Sequence, residues 1–355
     1  MSPRTIGPQD AVAILTGGGN CPGLNDAILG AMERARDAGY KVLGVPNGYE
    51  GLLMPHELKE IQANSQELHR LPGSILGLSR VNPAPTDEGS EDLFKKNCRM
   101  IAEKIREHNI RFVIAIGGDD TLGATGRLVK AGVVRANGVP KTIDNDIVGT
   151  ERTFGFETAV QVGKEHASGM RLEAELYHRT CILETMGRLA GWIALEVGDR
   201  ADADLILIRE FDVPVKDIIA KVNKALQEKG NALIVVSEGF SIEGKITTDG
   251  TIDPHGNKKL GGVGLALQNR LKEEGIASTC MAVSYAHRYG APTKEDAAFA
   301  RKLGQMAAEA ALNEQFGVVS VYRAGEYTLA PFTEIKGGRL VPADLYDPKL
   351  LKKRR

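Results

Sequence analysis

The chain has 355 residues, with 45 Lys and Arg against 46 Asp and Glu and a net charge of −1. That balance argues against nucleic-acid binding and against adsorption to an anionic membrane by bulk charge. The length suits two domains, or one large α/β domain with an insertion. No apolar run approaches the about 18 residues of a membrane span, and the start, MSPRTIGPQD, has no apolar signal core. Four cysteines, Cys21, Cys98, Cys181 and Cys280, lie far apart with no C-x-x-C pair, which argues against a zinc site or a disulfide framework. The expected compartment is the cytoplasm.

Taken in order, "AVAILTGGG" reads as a strand ending in glycines. A helix follows, with Leu24, Ala27, Ile28, Ala31 and Ala35 on one face and Gly39 as its stop. "KVLGVPNG" is a second strand, and residues 48–90 are irregular. "LFKKNCRMIAEKIREHN" predicts a helix with Leu93, Cys98, Ile101 and Ile105 inward. "RFVIAIGG" predicts a buried strand, "TLGATGRLVKAG" the helix behind it, and "VVRANGVPKTIDND" another strand end. The second half repeats the style. Helix "FETAVQVGKEHASGMRLEAEL", strand "TCILETMGR", helix "LAGWIALEVG", strand "DLILIRE", helix "VKDIIAKVNKALQEKG" and strand "NALIVVSEG" alternate. A polar excursion over 241–261 precedes helix "GLALQNRLKEEG", strand "STCMAVSYAH", a long amphipathic helix from Lys294, and a last strand "VVSVYRAG". The tail KKRR reads as a solvated basic end. This alternation predicts two doubly wound, mainly parallel-sheet α/β domains, with ligands at the carboxyl ends of the strands.

The glycine-rich strand ends are therefore where chemistry is expected. In "LTGGGNCPGLN" successive glycines let backbone N–H groups approach an anion at a helix start, although a tight structural turn is the alternative. The spacing is neither G-x-G-x-x-G nor a P-loop. In "IAIGGDDTLGAT" a carboxylate of Asp119 or Asp120 beside a phosphate cradle suits Mg²⁺, while helix capping is the plainer reading. "GVPKTIDND" places Lys141 where a cation would neutralise a transferring group, beside carboxylates suited to base work. Arg188, after Gly187, suits an anion, and Glu238 suits sugar hydroxyls. Unaided, these loops describe a Mg²⁺-dependent enzyme acting on phosphates.

"LTGGGNCPGLN", "IGGDDT", "PKTIDND", "MGR" and the "SEG" strand end occur in the order of the phosphofructokinase family, and the resemblance spans roughly residues 11–335. It implies two α/β domains with the active site in the cleft between them, and phosphoryl transfer to carbon 1 of fructose 6-phosphate. Residues 1–155 plus about 287–337 would form the phosphoryl-donor domain. Residues 156–286 plus about 338–355 would form the sugar-phosphate domain. By position, the resemblance makes Asp144 the base, with Asp146 orienting it and the acceptor. Asp119 would hold Mg²⁺, and Gly18 and Gly19 would offer N–H groups to the donor. Arg80 would touch the transferring phosphate. Thr142, Met186, Gly187, Arg188 and Glu238 would line the sugar-phosphate site, with Tyr285 and Arg288. Arg179 would reach the acceptor phosphate of a neighbouring copy, implying a homodimer or homotetramer with shared sites.

Asp120 and Lys141 stand where ATP-using members have glycines, and so resemble the pyrophosphate-dependent branch. A carboxylate at Asp120 would repel a nucleotide α-phosphate, and Lys141 would add positive charge to the transferring group. Thr279 and Tyr285 stand where the family has an arginine and a histidine that hold the acceptor, with His287 and Arg288 as neighbours able to compensate. The reading is pyrophosphate-dependent transfer to a ketose phosphate, fructose 6-phosphate favoured. The alternatives are ATP as donor, another ketose phosphate such as sedoheptulose 7-phosphate, and a non-catalytic phosphate-sensing subunit. A nicotinamide-dependent dehydrogenase lacks its glycine fingerprint here.

Overall fold

A computed structural model describes residues 7, 9–62, 68, 73–252 and 258–354. The chain divides into two compact units. The first comprises Met1–Thr142, Ile147–Gly155 and Tyr289–Gly337, and the second Ile143–Asp146, Phe156–Arg288 and Gly338–Arg355.

The first unit is built on a seven-stranded sheet. Its order is Glu326–Pro331, Val318–Arg323, Ala136–Pro140, Ile110–Gly117, Ala11–Thr16, Lys41–Val45 and Lys59–Glu60. The inner strands run parallel, and each edge strand is antiparallel to its neighbour. Every residue of Ala11–Thr16 is buried, as expected of a parallel strand covered on both faces. Helices Leu24–Asp37 and Lys294–Leu312 cross at close range: a Cβ on Gly30 would collide with the Arg301 carbonyl, and one on Gly304 with that of Ala27. Two glycines thus let these backbones touch.

The second unit holds a four-stranded parallel sheet, in the order Ser278–Ala282, Thr180–Thr185, Ala232–Ser237 and Leu205–Leu207. Both central strands are buried throughout. The outer edge of Leu205–Leu207 is covered by residues 346–351, and the strand is buried. Ile206 N–H donates to the Leu351 carbonyl, the Tyr346 hydroxyl donates to the Ile206 carbonyl at 2.6 Å, and Tyr346 stacks on Phe211.

Several local readings change. Ile143–Asp146 lies with the second unit, not with residues 1–155, because Arg339 donates hydrogen bonds to the Asn145 and Asp146 carbonyls. Leu93 is 51% exposed. The apolar stripe of helix Glu91–Glu107 starts instead at Phe94, whose ring carries the Arg127 guanidinium, and Asn97 is buried beside it. "STCMAVSYAH" is strand only to Ala282, and Ser284–Arg288 is a 3-10 turn. Strand Val318–Arg323 is not the last, since Glu326–Pro331 folds back on it. The 241–261 excursion forms two short antiparallel pairs, with residues 253–257 outside the described residues. The basic tail is docked: Lys353 pairs with Glu196 and Asp199, and Lys352 with Asp202. No described helix is long and apolar enough to cross a membrane.

Candidate active site

In the first unit, three adjacent parallel strands deliver their ends to one sheet edge. Gly17 N–H donates to the Ile116 carbonyl, and Lys141 N–H to that of Gly117, so the GGG, GGDD and PKT segments are stitched side by side. Lys141 is buried, and its ammonium donates to the Gly19 carbonyl at 2.7 Å. Gly18 has φ +83°, and a Cβ there would lie 3.1 Å from Lys141 Nζ. The glycine is thus needed for both backbone shape and lysine access. Its N–H, expected to face a phosphate, is engaged by the Ser79 carbonyl at 2.9 Å. This is a correction, and its cause is the bridge between Gly17 and Ser79, which also brings the exposed Arg80 next to the glycine loop.

Helix Asp119–Lys130 starts after Gly118, so Asp119 and Asp120 are its first two residues, both exposed, and neither acts as the N-cap side chain. The Asp119 carboxylate lies against Gly337. Among the described residues no group of three His, Cys, Asp or Glu side chains could cage a metal. One or two exposed carboxylates with no further protein ligands suit Mg²⁺ only where water and substrate oxygens complete its shell. Thr142 is half-buried, and its carbonyl accepts from the Thr153 hydroxyl.

In the second unit, strands Thr180–Thr185 and Ala232–Ser237 are parallel neighbours, so Met186, Gly187, Arg188 and Glu238 emerge together. One oxygen of Glu238 accepts from the N–H groups of Gly187, at 3.2 Å, and Arg188, at 2.8 Å. Burial pushes the Glu238 carboxyl up to about 7. The charges of Asp144 and Glu184 add to that, against the two N–H donors. Arg188 holds a left-handed backbone, φ +51°, and an exposed side chain. Arg288 Nη2 lies 4.0 Å from Asp144 Oδ2, and both side chains are largely buried.

The turn carrying Arg288 is fixed by His287. Its Nδ1 lies 2.9 Å from the Ala159 carbonyl, and its ring is wholly buried. The ring of His287, expected from the sequence to be able to compensate for the missing family side chains, is thus engaged inside the second unit. Tyr285, on the same turn, is exposed. Asp146 is half-buried, with its carbonyl held by Arg339.

Arg179 stands apart. It precedes the first residue of Thr180–Thr185, whereas Met186 follows the last, a separation of about 20 Å along the strand. It pairs with Glu173 at 3.4 Å and stacks on Tyr177. Thr279 aligns with Cys181 and so lies toward that same far end.

A family model described as phosphofructokinase matches residues 11–311. The chain belongs to the phosphofructokinase family. A pyrophosphate–fructose 6-phosphate 1-phosphotransferase of Amycolatopsis methanolica is 34% identical over 95% of this chain and 97% of its own. An ATP-dependent 6-phosphofructokinase 2 of Streptomyces coelicolor is 36% identical over 95% of this chain and 98% of its own. The solved structure of a pyrophosphate-dependent phosphofructokinase from Nitrosospira multiformis superposes with a TM-score of 0.84. It covers 98% of this chain and 89% of its own at 21% identity, and so attests the fold.

Motif reading does not reach Glu184, Arg339 or the Ser79 carbonyl. Glu184 is buried and accepts from the N–H groups of Gly262 and Gly264. Its position inside "ILETMGR" was legible, but its partner lies 80 residues on. Nothing in "GGRLVP" distinguishes Arg339 from a surface arginine.

Proposed function

We propose that this phosphofructokinase-family chain transfers a phosphoryl group reversibly from pyrophosphate to carbon 1 of fructose 6-phosphate. The observation that carries the donor assignment is Lys141, buried with its ammonium 2.7 Å from the Gly19 carbonyl, while Asp120 is exposed on the adjacent helix start. A cation at the glycine loop favours a compact anion, and a carboxylate nearby disfavours the extra phosphate of a nucleotide. Several relatives named pyrophosphate–fructose 6-phosphate 1-phosphotransferases, at 33–34% identity, support the same reading.

The residues of the first unit hold the donor: Lys141 and Arg80 neutralise the transferring group, and Gly18 leaves room for it. Asp119 holds Mg²⁺, which when bound offsets charge on the pyrophosphate oxygens. The residues of the second unit hold the acceptor. Asp144 accepts the proton of the attacking hydroxyl, and Arg288 and Asp146 fix that carboxylate and the sugar. Arg188 meets phosphate charge, and the second oxygen of Glu238 accepts from sugar hydroxyls, beside Met186 and Gly187, while Thr142, the last residue of the first unit before the acidic turn, is proposed to contact the same sugar phosphate. Arg179, at the far end of its strand, serves the acceptor of another copy in a homodimer or homotetramer. The protein works in the cytoplasm.

Purified protein with Mg²⁺ is expected to use pyrophosphate, to use ATP poorly, and to form pyrophosphate from fructose 1,6-bisphosphate and phosphate. Comparable kcat/KM values for the two donors would sink the donor assignment.

A further inference from the structure

The turn Asp144–Asn145–Asp146 is strained and irregular. Asn145 has φ +53°, a left-handed backbone that asparagine tolerates better than other L-residues and that neighbours here hold in place. The holding contact comes from 194 residues along the chain. Arg339 donates from Nη1 to the Asn145 carbonyl at 2.9 Å and from its backbone N–H to the Asp146 carbonyl at 2.7 Å. Its guanidinium carbon lies 4.0 Å from the centroid of the Trp192 ring, and its own carbonyl accepts from Trp192 Nε1–H at 3.0 Å. Trp192 is 5% exposed and opens helix Trp192–Arg200, just after the loop carrying Arg188. Glu210 closes the arrangement, since one of its oxygens accepts from both Gly191 N–H and Val341 N–H at 2.9 Å.

A planar guanidinium is suited to this place. It stacks face-on against an indole and still presents a directed N–H to a carbonyl, which an ammonium on a flexible stem does less well. The segment from Arg339 to Val341 is thereby fastened to the loop preceding helix Trp192–Arg200, and the acidic turn is fastened to that segment.

We infer that Arg339, clamped on Trp192, is a positioning residue that holds the strained turn so that the Asp144 carboxylate keeps its working orientation. This rests on the reading of Asp144 as the base. Arg339 acts through the turn, which carries Asp146 as well as Asp144, so its loss should slow turnover more than it weakens fructose 6-phosphate binding and should leave pyrophosphate binding unchanged.

The test uses full-length Arg339→Ala, Arg339→Lys and Trp192→Phe with Mg²⁺, pyrophosphate and fructose 6-phosphate, beside wild type and Asp144→Ala. Arg339→Ala is expected to lower kcat about tenfold or more, to leave the KM for pyrophosphate within about twofold, and to raise the KM for fructose 6-phosphate by less than kcat falls. Arg339→Lys should recover part of that loss, and Trp192→Phe should lose less than Arg339→Ala. Amide hydrogen exchange of unliganded Arg339→Ala should quicken at residues 143–147 with the sheet strands unchanged. Trp192 is the chain's single tryptophan, so its emission should shift on removal of the guanidinium. Unchanged kcat per folded molecule, or a fall matched by a rise in either KM, overturns the positioning role. Should Arg339→Ala fail to fold, Arg339→Lys and Trp192→Phe decide on the same readouts. A wild type without turnover, or an active Asp144→Ala, overturns the assigned reaction or base instead. In that event exchange at 143–147 still decides whether Arg339 holds the turn.

Discussion

The side chains around the acidic turn carry opposed consequences for pH. Glu238 is raised from the ordinary 4.5 to about 7, chiefly by burial, so its contribution to stability is complete below pH 4.5 and is lost as pH rises toward 7. His287 is lowered from 6.5 to about 4, again chiefly by burial, and its Nε2 has no hydrogen-bond partner among the described residues. Its contribution is complete above pH 6.5 and is lost as pH falls toward 4. Between pH 4.5 and 6.5 the two slopes, each about 1.4 kcal/mol per pH unit at most, oppose one another. Wild-type stability should therefore be nearly flat across that window in urea unfolding. Glu238→Gln should become more stable as pH rises through it, and His287→Gln less stable. Parallel profiles for all three proteins would refute the assignment of these two groups.

Asp120 is the residue where the donor assignment is most exposed to test. Asp120→Gly removes a carboxylate from the helix start while leaving Lys141 on the Gly19 carbonyl. ATP-dependent turnover should rise measurably above the wild-type trace, with pyrophosphate turnover retained. No gain in ATP use, with an unchanged circular dichroism spectrum, would place the exclusion of nucleotide at other residues.

At the scale of the element, the four-stranded sheet depends on a segment that belongs to none of its strands. The Ile206 carbonyl on the edge strand is satisfied by the Tyr346 hydroxyl, which is wholly buried. Tyr346→Phe leaves that carbonyl without its donor and should cost about 1–3 kcal/mol, read as a lower midpoint in chemical denaturation. No change in midpoint would mean that water replaces the hydroxyl.

The elements themselves were largely legible. Short apolar runs such as AVAILT and ALIVVS, rich in β-branched residues and followed closely by glycine, suit covered parallel strands. The register of the apolar stripe at Leu93, the fold-back of Glu326–Pro331 and the docking of the tail were not legible. Each is decided by a partner far away in the chain, as the Leu351 carbonyl is for Ile206. The acidic and glycine motifs stood out because three adjacent strands end in them, at residues 17–19, 117–120 and 141–146. The Arg339 contact was not, because one arginine in a loop has no local mark.

At the scale of the molecule, the residues proposed to hold the acceptor fall in two places. Arg188, Glu238, Asp144 and Arg288 belong to one end of the second unit's sheet or to the segments beside it, while Arg179 and Thr279 lie toward the other end. Threonine cannot supply the charge-assisted bonds of an arginine, which contribute about 1.5–3 kcal/mol each. A weak apparent affinity for fructose 6-phosphate, or a preference for a longer phosphorylated ketose, is expected. Thr279→Arg should tighten fructose 6-phosphate by about tenfold if Arg179 and residue 279 act on the same phosphate. Low-micromolar binding by wild type, untouched by Thr279→Arg, would show that the site does not need that charge.

The chain's repeated passage between its two units has a consequence for its synthesis. The parallel strand Ala136–Pro140 has Val318–Arg323 as its outer neighbour, and helix Leu24–Asp37 packs on Lys294–Leu312. A ribosome must therefore make the whole stretch 156–288 of the other unit before the partners that complete the first begin to emerge. At about 5–20 residues per second that is a delay of roughly 7 to 27 seconds. Throughout it, an apolar helix face and an unpaired strand edge stay open in the nascent protein. Chain order thus makes this enzyme a late folder, with its earliest-made sheet among the last parts to be sealed.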